Sequence, residues 1–486
     1  MAPDNTPVRP RMLINGELVG ASDGKTFPIY NPATRELSAE VPEASADDTN
    51  AAVAAAKAAF PAWSALGPAK RAGYFKKLAA LIREHRDELA RLDAISMGMP
   101  VSTYYYAHMA AAQYDYYSEA WPIVQGQASV NTPGFMTMTL RQPYGVVACI
   151  IPWNVPVYFM AAKSAPALIT GNTVVLKSSE KAPLAVARIA ELVVEVGFPP
   201  GVFNIISGHG VPSGQILSRH MDVRALSFTG SSRTGKLIQE EAARTNLKKV
   251  VLELGGKSPA IVFEDADLAK TAAKTQFSIQ NNSGQVCMAN SRIYVQKSIA
   301  EKFIEAFKKE FAANARAGNP LDTQTNHGPQ ADEVQYRNVM MYIEEGKKTG
   351  TLAMGGNGKL EDTNGFFVEP TVFVNQPEEA RITKEEVFGP VVIINTFETE
   401  AEAIAKANDT EFGLYAAVFT RDVSRAMRVA KALESGYVGI NCTSPMTGHD
   451  LPFGGYKGSG QGREGLLYSM NNFLETKSVI MQIDEE

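Results

Sequence analysis

The sequence predicts an α/β protein made of two successive parallel-sheet blocks, with a separate strand near the C-terminus. Three observations carry this. From Gly145 onward, short apolar runs alternate with helical patterns: Gly145–Ile151, Thr173–Lys177, Val202–Ile206, Ala225–Phe228 and Val250–Leu254, with helices near Val157–Ile169, Pro183–Val196, Pro212–Ser218 and Thr234–Arg244. Fully apolar strands separated by helices are what a parallel sheet covered on both faces requires. After Gly255-Gly256 the alternation resumes: runs Pro259–Phe263, Ser291–Val295, Val391–Thr396 and Tyr415–Thr420, helices near Lys270–Gln280, Ile299–Ala315 and Ala331–Lys348. Finally, the Gly- and Pro-rich stretch Pro445 to Gly465 leads to an apolar strand around Ser478–Ile483 with no local partner, which points to pairing with a remote sheet or another subunit.

Upstream of the first block, Ala and Leu recur at helical spacing from Ser45 to Met97 and read as two amphipathic helices. Ser45 with Asp47 and Asp48 marks the first helix start, because acids there complement the macrodipole. Met99-Pro100 breaks the pattern, and an aromatic-rich helix is expected from Thr103 to Trp121, its tyrosine stripe reading as core or interface. The net charge of -5 over 486 residues, with both signs interspersed, offers no basic patch for nucleic acid. No apolar stretch is long enough to span a bilayer, and the N-terminus lacks a signal-peptide core. Three cysteines make no disulfide framework, and no Cys pair or His cluster has metal-ligand spacing. The expected compartment is the cytoplasm.

Parallel sheets bind ligands beyond the carboxyl ends of their strands, so the residues there come next. The first strand ends in Ile151-Pro152-Trp153-Asn154-Val155-Pro156. Prolines on both sides keep helix from forming and hold the Asn154 amide out, where it could donate to an oxyanion; the same run also reads as a turn with a capping Asn. The second strand ends in Lys177-Ser178-Ser179-Glu180. Lys177 and Glu180 could bond ribose hydroxyls, or form a surface pair with Ser179 capping a helix. The fourth ends in Thr229-Gly230-Ser231, with Gly235 five positions after Gly230. Glycines at a helix start let a phosphate approach backbone N–H groups. In the fifth, Glu253 lies between Leu252 and Leu254, a placement costly for a carboxylate unless it is paired or functional. Apolar surroundings raise its pKa and suit it to act as a general base. Cys287 follows the Gly284-Gln285-Val286 turn and is a candidate nucleophile or a buried structural cysteine; Cys149, within a strand, and Cys442 read as structural.

In this order and spacing, the runs PWNVP at 152–156, KSSE at 177–180, FTGSSRTG at 228–235, LELGGKSP at 252–259, GQVC at 284–287, EEVFGPV at 385–391 and PFGGYKGSG at 452–460 resemble the aldehyde dehydrogenase superfamily over nearly the whole chain. The resemblance implies a Rossmann-like parallel-sheet cofactor domain (1–123 and 144–254), a second α/β catalytic domain (255–457) and a small β oligomerisation arm (124–143 and 471–486) in a homodimer or homotetramer. It implies that Cys287 attacks the aldehyde, that Asn154 and the Cys287 N–H hold the oxyanion, and that Glu253 activates water against the resulting thioester. Lys163 and Glu464 fall in matched positions beside the catalytic site. NAD is the implied cofactor, with Ile151, Trp153, Lys177, Ser179, Glu180, Gly230, Ser231, Glu386 and Phe388 as its binding residues. Glu180 would repel a 2′-phosphate, which favours NAD, although Lys177 leaves NADP tolerable. Ser178 stands where Pro is common in the family.

The resemblance places the substrate pocket at Tyr158, Phe159, Ala162, Asn281, Thr447 and Phe453, with Thr443, Ser444, Met446 and His449 nearby. Ala162, where several relatives carry a bulky aromatic, implies added room. No Arg there would grip a second carboxylate and no quaternary-ammonium cage is evident, so the expected substrate is an aromatic or medium-sized apolar aldehyde. A CoA-acylating enzyme is the alternative from the same chemistry, disfavoured by Glu253. A catalytically silent structural or binding relative is the alternative from another class, disfavoured by Asn154, Glu253 and Cys287 occurring together.

Overall fold

The computed structural model describes residues 8–358, 364–444 and 451–483. The five apolar runs of the first block form the parallel centre of an eight-stranded sheet, ordered Phe203–Ile206, Thr173–Lys177, Val146–Ile150, Val223–Thr229, Lys249–Glu253. Antiparallel strands flank it: Met12–Ile14 on one edge and Gly460–Gln461 on the other. In chain order these five strands lie 3-2-1-4-5. The direction of travel reverses between Val146–Ile150 and Val223–Thr229, and a crevice opens beyond the carboxyl ends at such a reversal.

The second block forms a seven-stranded sheet in which Asn290–Gln296 and Ser258–Val262 are central. Its strands Thr371–Val374 and Tyr437–Ile440 lie outside the runs expected from the sequence. The first is four residues long and the second is interrupted by Gly439, so neither stands out as an apolar run.

The C-terminal strand Leu474–Gln482 pairs antiparallel with Phe135–Pro143 over nine residue pairs, joined by Ala128–Ser129. Of the two expected partners, the remote sheet of the same chain is the one the strand meets. Residues along it such as Ile480 and Met481 remain exposed.

Two helical expectations change. The stretch from Ser45 to Met97 holds three helices, Ala46–Ala65, Pro68–Glu84 and Arg86–Met97. Gly67-Pro68 starts the second, because proline at the first helical position sacrifices only an N–H that would be unbonded anyway. His85 ends it with φ -90° and ψ 15°, outside the helical well. The Ser45 start holds: the Ser45 Oγ accepts from the Asp48 N–H at 3.1 Å, and the Asp48 carboxylate accepts from the Ser45 N–H at 2.9 Å. The aromatic helix is Tyr106–Ala120, preceded by the separate turn Val101–Thr103.

Helix Pro156–Ile169 is apolar apart from Tyr158, Lys163 and Ser164, and thirteen of its fourteen residues are buried, so it sits inside the molecule rather than on it. That placement sets Asn154, just before its start, and Lys163, on its inner side, against the sheet. Cys149 is fully buried within strand Val146–Ile150, as a structural cysteine would be. Among the described residues no helix is long and apolar enough to cross a membrane.

Candidate active site

Two cavities meet at Cys287. One is a cleft beyond the carboxyl ends of the first sheet. It is lined by Ile151, Trp153, Lys177, Ser179, Glu180, Gly230, Ser231, Glu386 and Phe388, which brings together all nine residues expected to hold a dinucleotide. The other is a tunnel that contains Tyr158, Phe159, Ala162 and Phe453. Cys287, Asn154 and Phe159 border both. A ligand in the cleft and a ligand in the tunnel can therefore touch the same sulfur.

The cleft's donors follow from strand ends. Ser231 caps helix Ser232–Arg244, its hydroxyl accepting from the Thr234 N–H at 3.3 Å, so the helix's N-terminal end faces the cleft beside Gly230. Gly235 has a different reason from the one its spacing implied: a Cβ there would lie 2.8 Å from the Leu254 side chain, so it lets the helix pack on the sheet. Ser179 caps no helix; its hydroxyl accepts from the Lys181 N–H at 3.3 Å, and the next helix begins at Leu184. Lys177 is buried, its ammonium donating to the Ser178 carbonyl at 3.0 Å and retaining two further N–H donors. Glu386 accepts from the Gly256 N–H at 2.9 Å, and burial pushes its carboxyl up to about 7. Trp153 and Phe388 meet edge-on at 5.3 Å across the cleft mouth. An acidic group for hydroxyls, a helix N-terminus for phosphates and apolar walls suit a dinucleotide's donor and acceptor pattern.

At the junction, the Asn154 amide donates to the Gln285 carbonyl at 2.9 Å, two residues before Cys287. Burial pushes the Cys287 thiol up to about 12, aided by the carboxylates of Glu386 and Glu253, while the N–H groups of Met288 and Cys287 pull it down. Glu253 is 2% exposed and borders neither cavity. Neither of its carboxylate oxygens has a hydrogen-bond partner, and burial followed by the charge of Glu464 holds its pKa well above the usual carboxylate range. An unpartnered carboxyl held above the usual carboxylate range is a stronger base than an exposed one, which suits it to taking a proton from water. Lys163 donates to Glu464 at 2.6 Å and to the Ser227 hydroxyl at 2.9 Å, and Ser227 donates to Glu464 at 3.0 Å. Of these three, Glu464 reaches the tunnel.

Asn281 lies apart from the tunnel, in a separate amide-rich cavity with Gln276, Gln280 and Asn314. The resemblance puts it in the substrate pocket, but left-handed residues at Asn282 and Ser283 follow it and its side chain lies behind the tunnel wall, against Tyr105 and Tyr106. Thr447, Met446 and His449 lie outside the described residues. Thr443 and Ser444 are turned away from the tunnel: Ser444 bonds the Ser278 hydroxyl at 2.6 Å. The aromatic helix, expected as core or interface, instead forms a wall of the tunnel through Tyr106, Met109, Gln113, Tyr116 and Tyr117. Their spacing of three or four residues marks one helical face, a usable signal, but a face packed on core looks the same in sequence.

Comparison with known proteins gives the family. The family model described as "Aldehyde dehydrogenase family" matches residues 19–479. The chain belongs to the aldehyde dehydrogenase family. An aldehyde dehydrogenase of Alternaria alternata is 43% identical, with 98% of this chain and 95% of that protein covered. A P. syringae indole-3-acetaldehyde dehydrogenase variant bound to NAD+ and IAA superposes with a TM-score of 0.96 at 39% identity, covering 99% of this chain and 98% of that one. An aldehyde dehydrogenase from Bacillus cereus in complex with NAD+ gives 0.95 at 41% identity, covering 98% and 97%. As a member of this family, the chain is an NAD-dependent oxidoreductase that converts an aldehyde to the carboxylic acid.

Proposed function

We propose that this enzyme releases a free acid from an aromatic or medium-sized apolar aldehyde by way of a thioester on Cys287. The observation that carries the proposal is the position of Cys287 and Asn154 at the one place where cleft and tunnel join. The Cys287 thiol gives up its proton to water and its sulfur bonds the aldehyde carbon, leaving the oxyanion of a thiohemiacetal. The oxyanion lies within reach of the Asn154 amide, whose second N–H is not committed to Gln285, and of the Cys287 N–H. Lys177, Glu180, Ser231 and Glu386 would hold the dinucleotide, which would supply the hydride acceptor when bound. Oxidation at that carbon would leave the acyl group on Cys287 as a thioester. Glu253 then takes a proton from water as the oxygen adds to the acyl carbon. The C–S bond breaks, the proton on Glu253 passes to the released thiolate, and the acid leaves with the thiol restored.

The tunnel walls support the substrate class: Tyr106, Tyr116, Tyr117, Tyr158, Phe159 and Phe453 present rings, and Ala162 leaves space among them. The neighbour named for indole-3-acetaldehyde, an aromatic aldehyde, is consistent with it. Glu180 beside Lys177 favours NAD over NADP. We assign residues 1–123 and 144–254 to the cofactor domain, 255–457 to the catalytic domain, and 124–143 with 471–486 to an oligomerisation arm of a cytoplasmic homodimer or homotetramer. The exposed Ile480, Met481 and Val130 support the arm's role.

The test is turnover of benzaldehyde with NAD+, read as NADH. Cys287→Ala is expected to abolish it, and continued turnover would sink the mechanism. Glu253→Gln is expected to stall as an acyl-enzyme visible by intact mass; steady turnover there removes Glu253 from its role.

A further inference from the structure

The three residues that lead into the nucleophile turn, Asn282, Ser283 and Gly284, all have positive φ, at 49°, 53° and 78°. For Asn and Ser that conformation is uphill, and two such residues in succession do not persist unless the surroundings hold them. Glycine at 284 is required twice over: by its φ, and because a Cβ there would lie 2.0 Å from the Gly389 carbonyl oxygen.

What holds the run is a buried segment from a distant part of the chain, Gly328-Pro329-Gln330-Ala331. Ser283 donates to the Gly328 carbonyl at 2.7 Å, and Gln330 donates to the Ser283 carbonyl at 3.2 Å. Gln285, with no exposed surface, makes the most connections. Its side-chain oxygen accepts from the Ala331 N–H at 2.9 Å, and its amide donates to the Asn282 carbonyl at 2.9 Å and to the Pro329 carbonyl at 3.4 Å. Its backbone carbonyl accepts the Asn154 amide at 2.9 Å. The segment 328–331 is itself wedged against the cofactor side: a Cβ on Gly328 would meet the Gly98 carbonyl at 2.1 Å, and the Pro329 ring closes on Gly98.

We propose that Gln285 is a positioning residue that sets Asn154 and Cys287 in mutual register, by tying the left-handed run 282–284 to the wedged segment 328–331. Its side chain touches neither cavity, so it acts through the loop and not on substrate. A Gln285 side chain without polar atoms leaves the Ala331 N–H dry and unbonded, leaves the Asn282 carbonyl with only the Gln285 backbone N–H at 3.1 Å, and removes the run's side-chain tie to 328–331. The loop then relaxes, and the carbonyl that orients the Asn154 amide moves with it.

This inference rests on the thioester reading above, which Cys287→Ala tests independently in the unaltered background. The experiment uses the purified full chain with NAD+ and benzaldehyde, and compares Gln285→Met, of similar volume and no polar side-chain atoms, with Gln285→Glu, which keeps the acceptor for the Ala331 N–H. Gln285→Met is expected to lower kcat by about 100-fold, the scale of losing an oxyanion donor, with the NAD+ KM changed less than about threefold. Gln285→Glu is expected to recover kcat to within about tenfold of the unaltered enzyme. In the background of Asn154→Ala, adding Gln285→Met is expected to cost less than about threefold more, because both act on one arrangement. A kcat for Gln285→Met within about threefold of the parent overturns the proposal, as do losses that multiply in the double variant. Should Gln285→Met not fold, a Gln285→Glu enzyme that folds and binds NAD+ but remains about 100-fold slow overturns it as well.

Discussion

The cofactor cleft and the substrate tunnel share a cysteine but are built by different rules. Cleft residues come in short runs at the carboxyl ends of consecutive parallel strands: 151–153, 177–180 and 230–231, joined by Glu386 and Phe388. Tunnel residues come from one face of helix Tyr106–Ala120, the start of helix Pro156–Ile169, the residues flanking Cys287, Tyr437, and the stretches 451–453 and 464–469. A strand end commits its residues to the crevice once the sheet forms. A helix face commits to a tunnel only when another element stands opposite it. The cleft is therefore a property of the fold, and the tunnel a property of this chain's packing.

Four substitutions sharpen or break that contrast. The largest effect is expected at the joint between the regions. Lys163 has no exposed side-chain surface and Glu464 is 12% exposed, so Lys163→Met strands a nearly buried carboxylate and costs about 3 kcal/mol of stability. Urea melts check this, and a loss under about 1 kcal/mol would mean that the pair is solvated like a surface one. Next, Ala162→Trp fills the tunnel among its rings. It is expected to lower kcat/KM for naphthaldehyde by about 100-fold while acetaldehyde and the NAD+ KM change less than about threefold. Equal losses for both aldehydes would show that the two cavities are not separable. On the cleft side, Glu180→Gln removes a charge that repels a 2′-phosphate and is expected to raise kcat/KM with NADP+ by about tenfold, leaving aldehyde preference unchanged.

The smallest effect crosses the boundary. The Glu386 carboxylate raises the Cys287 pKa, so Glu386→Gln lowers it, and iodoacetamide alkylation of the cofactor-free thiol begins at lower pH. Because Glu386 itself titrates at about 7, the difference between parent and variant is present above that pH and fades below it. Superimposable alkylation profiles would remove Glu386 from the thiol's electrostatics.

The sequence is most legible where one local pattern has one tertiary outcome. The five runs from Gly145 to Leu254 became the parallel centre of one sheet, and the residues after them became the cleft. It is least legible where partner elements decide the outcome. Asn281 was placed by its position before Cys287, but the left-handed turn at 282–284 carries it to another cavity. The tyrosines of the aromatic helix were visible as a stripe, and whether a stripe faces core or void depends on what lies across from it.

From the sequence alone came the α/β architecture and the order of strands and helices, because apolar runs dictate strands, and with them Asn154, Glu253 and Cys287 as candidates that the family resemblance singled out. Only the tertiary structure decided that Glu253 is a buried carboxylate without a partner, that Lys163 and Glu464 are bridged by Ser227, and that the terminal strand returns to Phe135–Pro143. Those facts depend on groups hundreds of residues apart meeting in space, and no local pattern encodes a meeting of that kind.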